Sequence, residues 1–400
     1  MRRLLLLAAA LLLGPTLLPA GASAAPPTDD VIPGAYIVAV RHGNPAAVAA
    51  DHRARHGAAI EHVYRYALRG YAARMSAGPA ARVAADPRVA SVTPDRRVSI
   101  AAQSVPTGIR RIDADLSSTR SGDGTGSVDV DVAIIDTGID VDHPDLKVVG
   151  GVNCSTGRSF DDGNGHGTHV AGTAAAKDDS QGVVGVSPGA RLYAVRVLNN
   201  RGSGSFSSII CGVDWVTARA NTVEVANMSL GGSAAEGSCT DGGLHEAICK
   251  SVQAGVTYAV AAGNESDDAA NHVPASYDEV ITVSALADFD GEPGGLGAPT
   301  CRSDEDDTFA NFSNYGADID LIAPGVCINS TWKGGGYKTI SGTSMASPHV
   351  AGAAALYLSQ HPSASPSQVK TALQAAGSDD WDNRDDPDGV KEPLLNVAGF

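Results

Sequence analysis

After residue 125, hydrophobic positions alternate between short apolar runs and longer segments with helical spacing. The apolar runs predict strands at residues 130–135, 191–198, 223–230, 256–262, 280–286 and 319–322. The other segments predict helices at about 166–176, 206–219, 242–254, 344–360 and 365–375. Strands that are apolar on consecutive residues are typical of burial on both faces, and strands that alternate with helices are typical of a parallel sheet. The pattern therefore predicts an α/β fold in which helices cover both faces of a parallel sheet.

A smaller unit is predicted ahead of this fold. Residues 34–40 alternate between apolar and less apolar positions as a strand does, and residues 45–56 have the sequence of a helix. Strand-like sequence at 63–75, a short helix at 79–85 and a strand at 89–98 follow. Two helices with several strands indicate a small α+β unit.

The first 24 residues have the organisation of a secretory signal peptide. Arg2 and Arg3 precede an almost purely apolar run at 4–13, and residues 22–24 supply the small side chains of a cleavage site. The run is shorter than the ~20 residues that a membrane-spanning helix needs. We therefore expect a secreted, extracellular protein with no membrane partner.

Charge is divided unevenly along the chain. Residues 1–100 carry 12 basic and 6 acidic side chains, whereas residues 101–400 carry 17 basic and 39 acidic ones. The acidic excess argues against nucleic acid as a partner, because phosphates would be repelled. Opposite charges favour binding between the two parts, although each part could also simply have a soluble surface of its own sign.

All six cysteines follow residue 101, and an even number in an exported chain predicts disulfides. Metal binding is the alternative, but the sequence contains no Cys-x-x-Cys pair. Many pairings of six cysteines are possible. Nearness along the chain favours Cys239 with Cys249 and Cys301 with Cys327, which leaves Cys154 with Cys211.

Three polar motifs place an aspartate, a histidine and a serine in that order. Asp136 ends an apolar run, His166 lies where a glycine-flanked loop turns into a predicted helix, and Ser344 follows a Gly-Thr turn. A serine hydroxyl becomes a useful nucleophile only with a base in hydrogen-bond reach and a carboxylate that orients the base. The ligand crevice of a parallel sheet lies at the carboxyl ends of its strands, where Asp136 and Asn264 are both predicted.

Other polar residues near these motifs are predicted to have structural or surface positions instead of catalytic roles. His169 forms His-x-x-His with His166, but the glutamate of a zinc-binding His-Glu-x-x-His helix is missing. Ser347 and His349 are predicted to be packed helix residues. The acidic segment at 379–388 is predicted to consist of solvated loop charges.

The motifs together resemble the subtilisin family of serine endopeptidases over roughly residues 103–395, including a fourth motif that ends on Asn264. The resemblance implies a subtilisin-like fold in which Asp136 orients His166 and His166 takes the proton of Ser344. It also implies that the Asn264 amide and the Ser344 backbone N–H stabilise the oxyanion. The cysteines depart from many bacterial members and resemble the proteinase K-like relatives.

The resemblance assigns three segments to the substrate. Two segments would pair with a peptide backbone, namely Gly202, Ser203 and Gly204, and Ser229, Leu230 and Gly231. The third, Ala261, Ala262 and Gly263, would form a wall of the first subsite. The floor of that subsite is expected near residues 272–274, with no fixed charge, which favours broad specificity. A selective processing protease and a catalytically silent peptide-binding scaffold are the alternatives.

Structural calcium is implied at two places. The first site would be built from side-chain and backbone oxygens of Gln103, Asp145, Lys177, Asp179, Gln181 and Val183. The second would combine the Asp320 carboxylate with the backbone carbonyls of Asp278 and Val280. Calcium prefers such hard oxygen ligands. Lys177 and Gln181 replace apolar residues of the family, but they would donate only backbone oxygen.

The small N-terminal unit resembles the inhibitor-chaperone propeptide that precedes many subtilisins, with an unrelated domain as the alternative. Residues 102–108 resemble the start of a mature subtilisin. The predicted division is therefore a signal peptide at 1–24, a propeptide at 25–101 and a peptidase domain at 102–400. Expected partners are polypeptide substrates and the protein's own propeptide, and a monomer is expected.

Overall fold

The computed structural model describes residues 31–96 and 103–400, and the chain divides into two compact units at residues 100 and 101. The predicted signal peptide and the predicted cut after residue 101 lie outside the described residues. None of the described helices is long and apolar enough to cross a membrane.

The first unit is a four-stranded antiparallel sheet with two helices. Its elements are β1 (Val31–Val40), α1 (Pro45–His56), β2 (Ala59–Tyr64), β3 (Gly70–Arg74), α2 (Ala77–Ala84) and β4 (Val89–Arg96), with the strands in the order β2-β3-β1-β4. Asn44 caps α1 by accepting from the Ala46 backbone N–H, and Gly57 ends the helix in the left-handed conformation. The predicted α+β unit is confirmed, although the run at 63–75 is split between two strands.

The second unit contains the alternating strands and helices that the apolar pattern predicts. Its strands are β5 (Asp131–Asp136), β6 (Val148–Asn153), β7 (Arg191–Arg196), β8 (Val225–Met228), β9 (Gly232–Ser233), β10 (Thr257–Ala261), β11 (His272–Val273), β12 (Ile281–Ala287), β13 (Thr308–Phe309), β14 (Leu321–Pro324), β15 (Ile328–Trp332) and β16 (Gly336–Ile340). Its helices are α3 (Thr107–Arg111), α4 (His166–Ala175), α5 (Phe206–Thr217), α6 (Leu244–Gln253), α7 (Thr343–Gln360) and α8 (Pro366–Ala376).

A sheet in the order β13-β12-β10-β8-β5-β7-β6, with β14 also beside β12, forms the centre of this unit. All of its pairings are parallel except that of β13. Successive residues of β5 enter different cores: Ile134 packs on the side of α4 and α7, and Ile135 on the side of α5 and α6. Burial on both faces explains the continuous apolar runs and confirms the predicted fold class.

Two features of the sheet differ from the prediction. The edge strand β6 has the sequence VVGGVN and is largely half-buried, so it lacks the apolar run that marks the inner strands. The predicted strand at 223–230 is shorter in the structure, because pairing ends at Met228 and the chain leaves the sheet. Residues 229–231 are therefore free to line a cleft.

The three disulfides are the pairs favoured by nearness along the chain. Cys154–Cys211, Cys239–Cys249 and Cys301–Cys327 have Cα–Cα distances of 5.9, 5.6 and 5.8 Å, and no described cysteine is free. The cysteine prediction is confirmed.

Candidate active site

The carboxylate of the site is Asp136, the last residue of β5, whose side chain is fully buried at the carboxyl edge of the sheet. Its Oδ1 accepts from the Thr137 backbone N–H at 2.6 Å. The chain then turns through Gly138 with a φ of +103°, where a Cβ would lie 2.3 Å from the Phe160 carbonyl oxygen. A glycine is therefore required next to the carboxylate.

His166 is the first residue of α4 and faces this carboxylate. Its Nδ1 lies 2.8 Å from Oδ1 and 2.9 Å from Oδ2 of Asp136. Because Nδ1–H donates to Asp136, the neutral ring carries its lone pair on Nε2. Burial lowers the pKa of His166, but the charge and hydrogen bond of Asp136 outweigh burial and raise it overall.

Close packing behind His166 fixes the start of α4. A Cβ on Gly165 would lie 2.4 Å from the Trp332 ring, and one on Gly167 would lie 2.1 Å from the Gly138 carbonyl oxygen. The glycines that flank the histidine in the sequence thus allow the helix to approach the sheet edge.

Ser344 lies in the first turn of α7, the long helix that packs against the sheet. Its hydroxyl donates to the Ser229 carbonyl oxygen at 3.4 Å, and the Ser229 hydroxyl donates to the Ser344 carbonyl at 2.8 Å. Among the described residues, no hydrogen bond joins Ser344 to His166. Catalytic hydrogen bonds are often long or misaligned without substrate, so this geometry leaves Ser344 a candidate nucleophile.

Asn264 follows β10 and is held by the same turn. Its Oδ1 accepts from the backbone N–H of Thr343 at 2.8 Å and from the Thr343 hydroxyl at 3.1 Å. With the carbonyl end fixed in this way, the amide NH₂ is the end left for a ligand. The Ser344 N–H belongs to the first turn of α7, where backbone donors are free and the helix dipole favours an anion.

Two adjoining cavities run past these residues and share the segment 229–232. The larger cavity, of about 780 Å³, is lined by His166 together with Gly202, Ser203, Gly204, Ser229, Leu230 and Gly231. The smaller, of about 240 Å³, is lined by Ser344 and Asn264 together with Ala261, Ala262 and Gly263. The structure thus brings all the predicted substrate residues to one cleft.

The smaller cavity carries charge that the sequence analysis did not anticipate. Glu265 and His272 both line it. Glu265 Oε2 accepts from the Asn264 backbone N–H at 2.7 Å, and His272 Nε2 lies 3.2 Å from Asp267 Oδ2. The expectation of a subsite without fixed charge is corrected, because Glu265 is among the residues that line the cavity.

The neighbouring histidines are packed helix residues, although His169 Nδ1 and His349 Nε2 have no hydrogen-bond partner among the described residues. His169 is buried with Nε2 3.0 Å from the Ile328 carbonyl, and burial lowers its pKa to about 3. His349 is also buried, its Nδ1 lies 2.8 Å from the Met345 carbonyl, and burial lowers its pKa to about 4. Neither ring lines the two cavities.

Residues of the first predicted calcium site lie close together in the structure. The side-chain NH₂ of Gln103 donates to the Lys177 carbonyl oxygen at 2.7 Å and to that of Val183 at 3.3 Å. Asp145 is buried; its Oδ2 accepts from the Val183 backbone N–H at 3.0 Å, while Oδ1 has no partner in the described chain. Asp179 Oδ1 accepts from the Gln181 N–H at 3.1 Å. A buried carboxylate oxygen without a partner fits a calcium ion.

The second predicted calcium site is wrong. The ammonium of Lys370, on α8, donates to the carbonyl oxygens of Asp278 and Val280 at 3.1 and 2.8 Å. The same ammonium lies 2.8 Å from Asp320 Oδ1. Lys370 therefore places its own cation on all three of the predicted ligands, and these residues do not fit a metal ion.

We expect Lys370→Gln to lower the free energy of unfolding by about 2 kcal/mol, because it leaves Asp320 and two carbonyls without their cation. The expected loss of stability is smaller than that for a fully buried ion pair, because the Lys370 side chain is 23% exposed. The control is Lys250→Gln, which breaks a surface pair with Glu246. Urea unfolding of both variants measures the effect, and equal losses would contradict the role given to Lys370.

The sequence of the chain was compared with those of known protein families and proteins. The sequence profile of the subtilase family matches residues 127–390, and that of peptidase inhibitor I9 matches residues 35–101. The chain is 44% identical to subtilisin DY of Bacillus licheniformis over 281 residues, covering 69% of this chain and 93% of that protein. It is 44% identical to subtilisin E of Bacillus subtilis over 298 residues, covering 73% of this chain and 71% of that protein.

A solved structure shows the same fold. It is described as the crystal structure of a cold adapted subtilisin-like serine proteinase and is 34% identical to this chain. The superposition has a TM-score of 0.57 and covers 76% of this chain and 93% of that chain.

Proposed function

Because this chain belongs to the subtilase family of serine endopeptidases and carries a peptidase inhibitor I9 domain, we propose that Asp136, His166 and Ser344 form its catalytic triad. The observation that carries the proposal is the contact of His166 Nδ1 with both oxygens of the buried Asp136 at 2.8 and 2.9 Å. This contact leaves Nε2 as the acceptor, beside a cleft that continues to Ser344.

The chemistry follows from these positions. His166 Nε2 takes the Ser344 proton as Ser344 Oγ attacks a peptide carbonyl, and the imidazolium formed is stabilised by Asp136. His166 then gives the proton to the departing amine. Water repeats the sequence on the acyl-enzyme, which releases the new carboxyl end and restores Ser344.

Negative charge develops on the carbonyl oxygen during attack, and we propose that the Asn264 amide and the Ser344 N–H donate to it. We expect Asn264→Ala to raise the barrier by roughly 3 kcal/mol, a magnitude transferred from subtilisin itself. The value of kcat should fall while KM changes little, because the amide is needed most in the transition state. Steady-state kinetics on a peptide substrate measure both, and equal changes in binding and turnover would contradict the role.

We propose broad specificity with selection against acidic side chains in the smaller cavity. Segments 202–204 and 229–231 offer backbone groups to an extended peptide, and such pairing does not depend on side chains. The Glu265 carboxylate in the smaller cavity repels a negatively charged residue at the first subsite. A selective processing protease and a silent peptide-binding scaffold are the alternatives.

Digestion of an unfolded protein of known sequence tests this function. Mapped cuts should follow many residue types and be depleted after Asp and Glu. Cuts at a single motif would favour a processing protease, and peptide binding without cuts would favour a silent scaffold. In a Glu265→Gln variant the depletion should weaken, while a control change at the exposed Glu292 should have no effect.

We also propose that the chain is exported and that the I9 domain is a propeptide, removed between residues 101 and 102, that inhibits the enzyme afterwards. The opposite charges of the two segments support binding between them. Residues 25–101, added separately, should inhibit the mature enzyme and do so more weakly at high salt. No inhibition, together with a secreted form that begins before residue 35, would contradict this.

We propose structural calcium at the first site, held by side-chain or backbone oxygens of Gln103, Asp145, Lys177, Asp179, Gln181 and Val183. The support is the unpartnered Oδ1 of Asp145 and the raised pKa of its carboxyl, about 6, which burial causes. The ion would supply the positive charge that this buried carboxylate lacks.

Chelation should lower the melting temperature, because an ion bound only to the folded state stabilises it by mass action. Asp145→Asn should remove much of that dependence, whereas a change at the exposed Asp142 to Asn should retain it. Calorimetry with and without chelator is the measurement. An Asp145→Asn variant that keeps the full calcium dependence would contradict this site.

A further inference from the structure

The acidic loop, defined as residues 382–392, differs from what its sequence predicts. The sequence predicts solvated charges in segment 379–388, but Asp386 is only 7% exposed, and Glu392, further along the loop, is only 3% exposed. The expectation is wrong at Asp386, and the buried Glu392 adds a second carboxylate to be stabilised. A buried carboxylate is costly unless it is paired with a positive charge or binds a metal.

Three carboxylates of the acidic loop converge on one point. Asp386, Asp388 and Glu392 each present an oxygen, and these oxygens lie within 4.8 Å of one another. Asp386 Oδ2 and both carboxylate oxygens of Glu392 are buried without a hydrogen-bond partner among the described residues. No basic side chain of the described chain donates to these three buried oxygens.

The basic residues of the loop bind elsewhere. The Lys391 ammonium donates to the Asp379 carbonyl at 2.5 Å and lies 5.7 Å from the Trp381 ring centre. Arg384 contacts Asp382 at 2.8 Å and Glu305 at 3.3 Å. Within the described chain, neither of these two basic side chains therefore pairs with the three converging oxygens.

A second acidic cluster, formed by Asp288, Asp290 and Asp306, shows the contrast. The buried guanidinium of Arg111 lies there, 3.3 Å from Asp288 and 2.7 Å from Asp307. One carboxylate of that cluster is therefore paired with a cation, whereas in the described chain none of Asp386, Asp388 and Glu392 is.

The acidic loop is anchored to the sheet, so its oxygens are held in place. The Trp381 indole N–H donates to the Glu392 carbonyl at 3.0 Å. Trp381 packs with Phe309, Ile322 and Leu394 in a buried cluster. The Val390 N–H binds Asp388 Oδ1 at 2.8 Å, which leaves Oδ2 for a ligand.

We propose that Asp386, Asp388 and Glu392 bind a calcium ion that fixes the acidic loop against the sheet. Hard carboxylate oxygens select Ca²⁺ over softer-ligand metals, and backbone carbonyls and water complete the six to eight ligands that calcium takes. The site is independent of the catalytic proposal. The competing explanation is a proton shared between the Asp386 and Glu392 carboxyls.

Terbium, a luminescent stand-in for calcium, tests binding in the full chain carrying Asp145→Asn, which disables the first site. Excitation of tryptophan should produce terbium luminescence that calcium displaces, because Trp381 contacts Glu392. Glu392→Gln and Asp386→Asn should each weaken binding about tenfold or more, since affinity follows ligand charge. Asp385→Asn, at an exposed neighbour, should not. Unchanged binding in both ligand variants would overturn the proposal.

Melting temperatures separate the metal from the shared proton. With calcium, Glu392→Gln should melt below the parent chain; with chelator it should melt at the same temperature or above it, because a repelling carboxylate has been removed. This reversal also shows that the variant folds. A difference between variant and parent that is the same with and without calcium, in either direction, would overturn the calcium site.

Discussion

Ser344→Ala should lower kcat by roughly a millionfold, a magnitude taken from subtilisin, and should leave the precursor uncut. The hydroxyl is the atom that bonds to the substrate carbonyl, so no neighbouring group replaces it. The cleft, Asn264 and the Ser344 N–H are retained, so a rate above that of water alone should persist. Kinetics on a peptide substrate and the mass of the secreted protein provide the two measurements.

Ser341→Ala is the matched control, because Ser341 lies in the same motif and its hydroxyl accepts from the Cys327 N–H at 2.9 Å. This variant should cleave peptides and process its precursor. Wild-type turnover by Ser344→Ala, or loss of activity in the control alone, would contradict the assignment of the nucleophile.

Asp136→Asn should lower kcat by about ten-thousandfold near neutral pH, as replacement of a triad aspartate does in other serine proteases. The amide preserves the shape of the buried side chain but favours the wrong tautomer of His166, with the proton on Nε2. The charge of Asp136 is also lost, and that charge raises the pKa of His166.

The pH dependence gives this prediction a second readout. Activity needs neutral His166, so it rises as pH increases through the pKa of His166. The charge of Asp136 raises the pKa of His166, so its removal should lower that pKa and move the acid limb of the profile to lower pH. A pH–rate profile of kcat/KM measures the shift. An acid limb at the wild-type pH, with normal turnover, would contradict the contact between Asp136 and His166.

The inner strands and the positions of Asp136, His166 and Ser344 were predictable because each is marked locally in the sequence. β5 and β10 are buried on both faces, so their apolar runs are continuous, and Asp136 and Asn264 follow where the runs end. Glycines around His166 mark a close approach that the structure shows against Trp332 and Gly138. The same runs overestimated strand length, because Leu230 is apolar but lines a cleft instead of pairing.

Features that depend on distant contacts were not predictable. Lys370 reaches carbonyls about ninety residues away in the chain, and its helix gives no sign of that contact. The edge strand β6 is half-buried, so its apolar pattern is weak. The burial of Asp386 and Glu392 depends on the packing of Trp381 and Leu394. The many charged residues of this segment instead predict an exposed loop.

Labelling the mature protein with a fluorophosphonate and mapping the modified residue tests the triad most directly. The reagent reacts with a serine hydroxyl only when a nearby base activates it and oxyanion donors receive the phosphoryl oxygen. We predict stoichiometric modification of Ser344, slowed strongly in Asp136→Asn and prevented by an excess of the isolated propeptide. Modification of Ser341 or Ser347 instead, or no modification of an otherwise folded protein, would contradict the account.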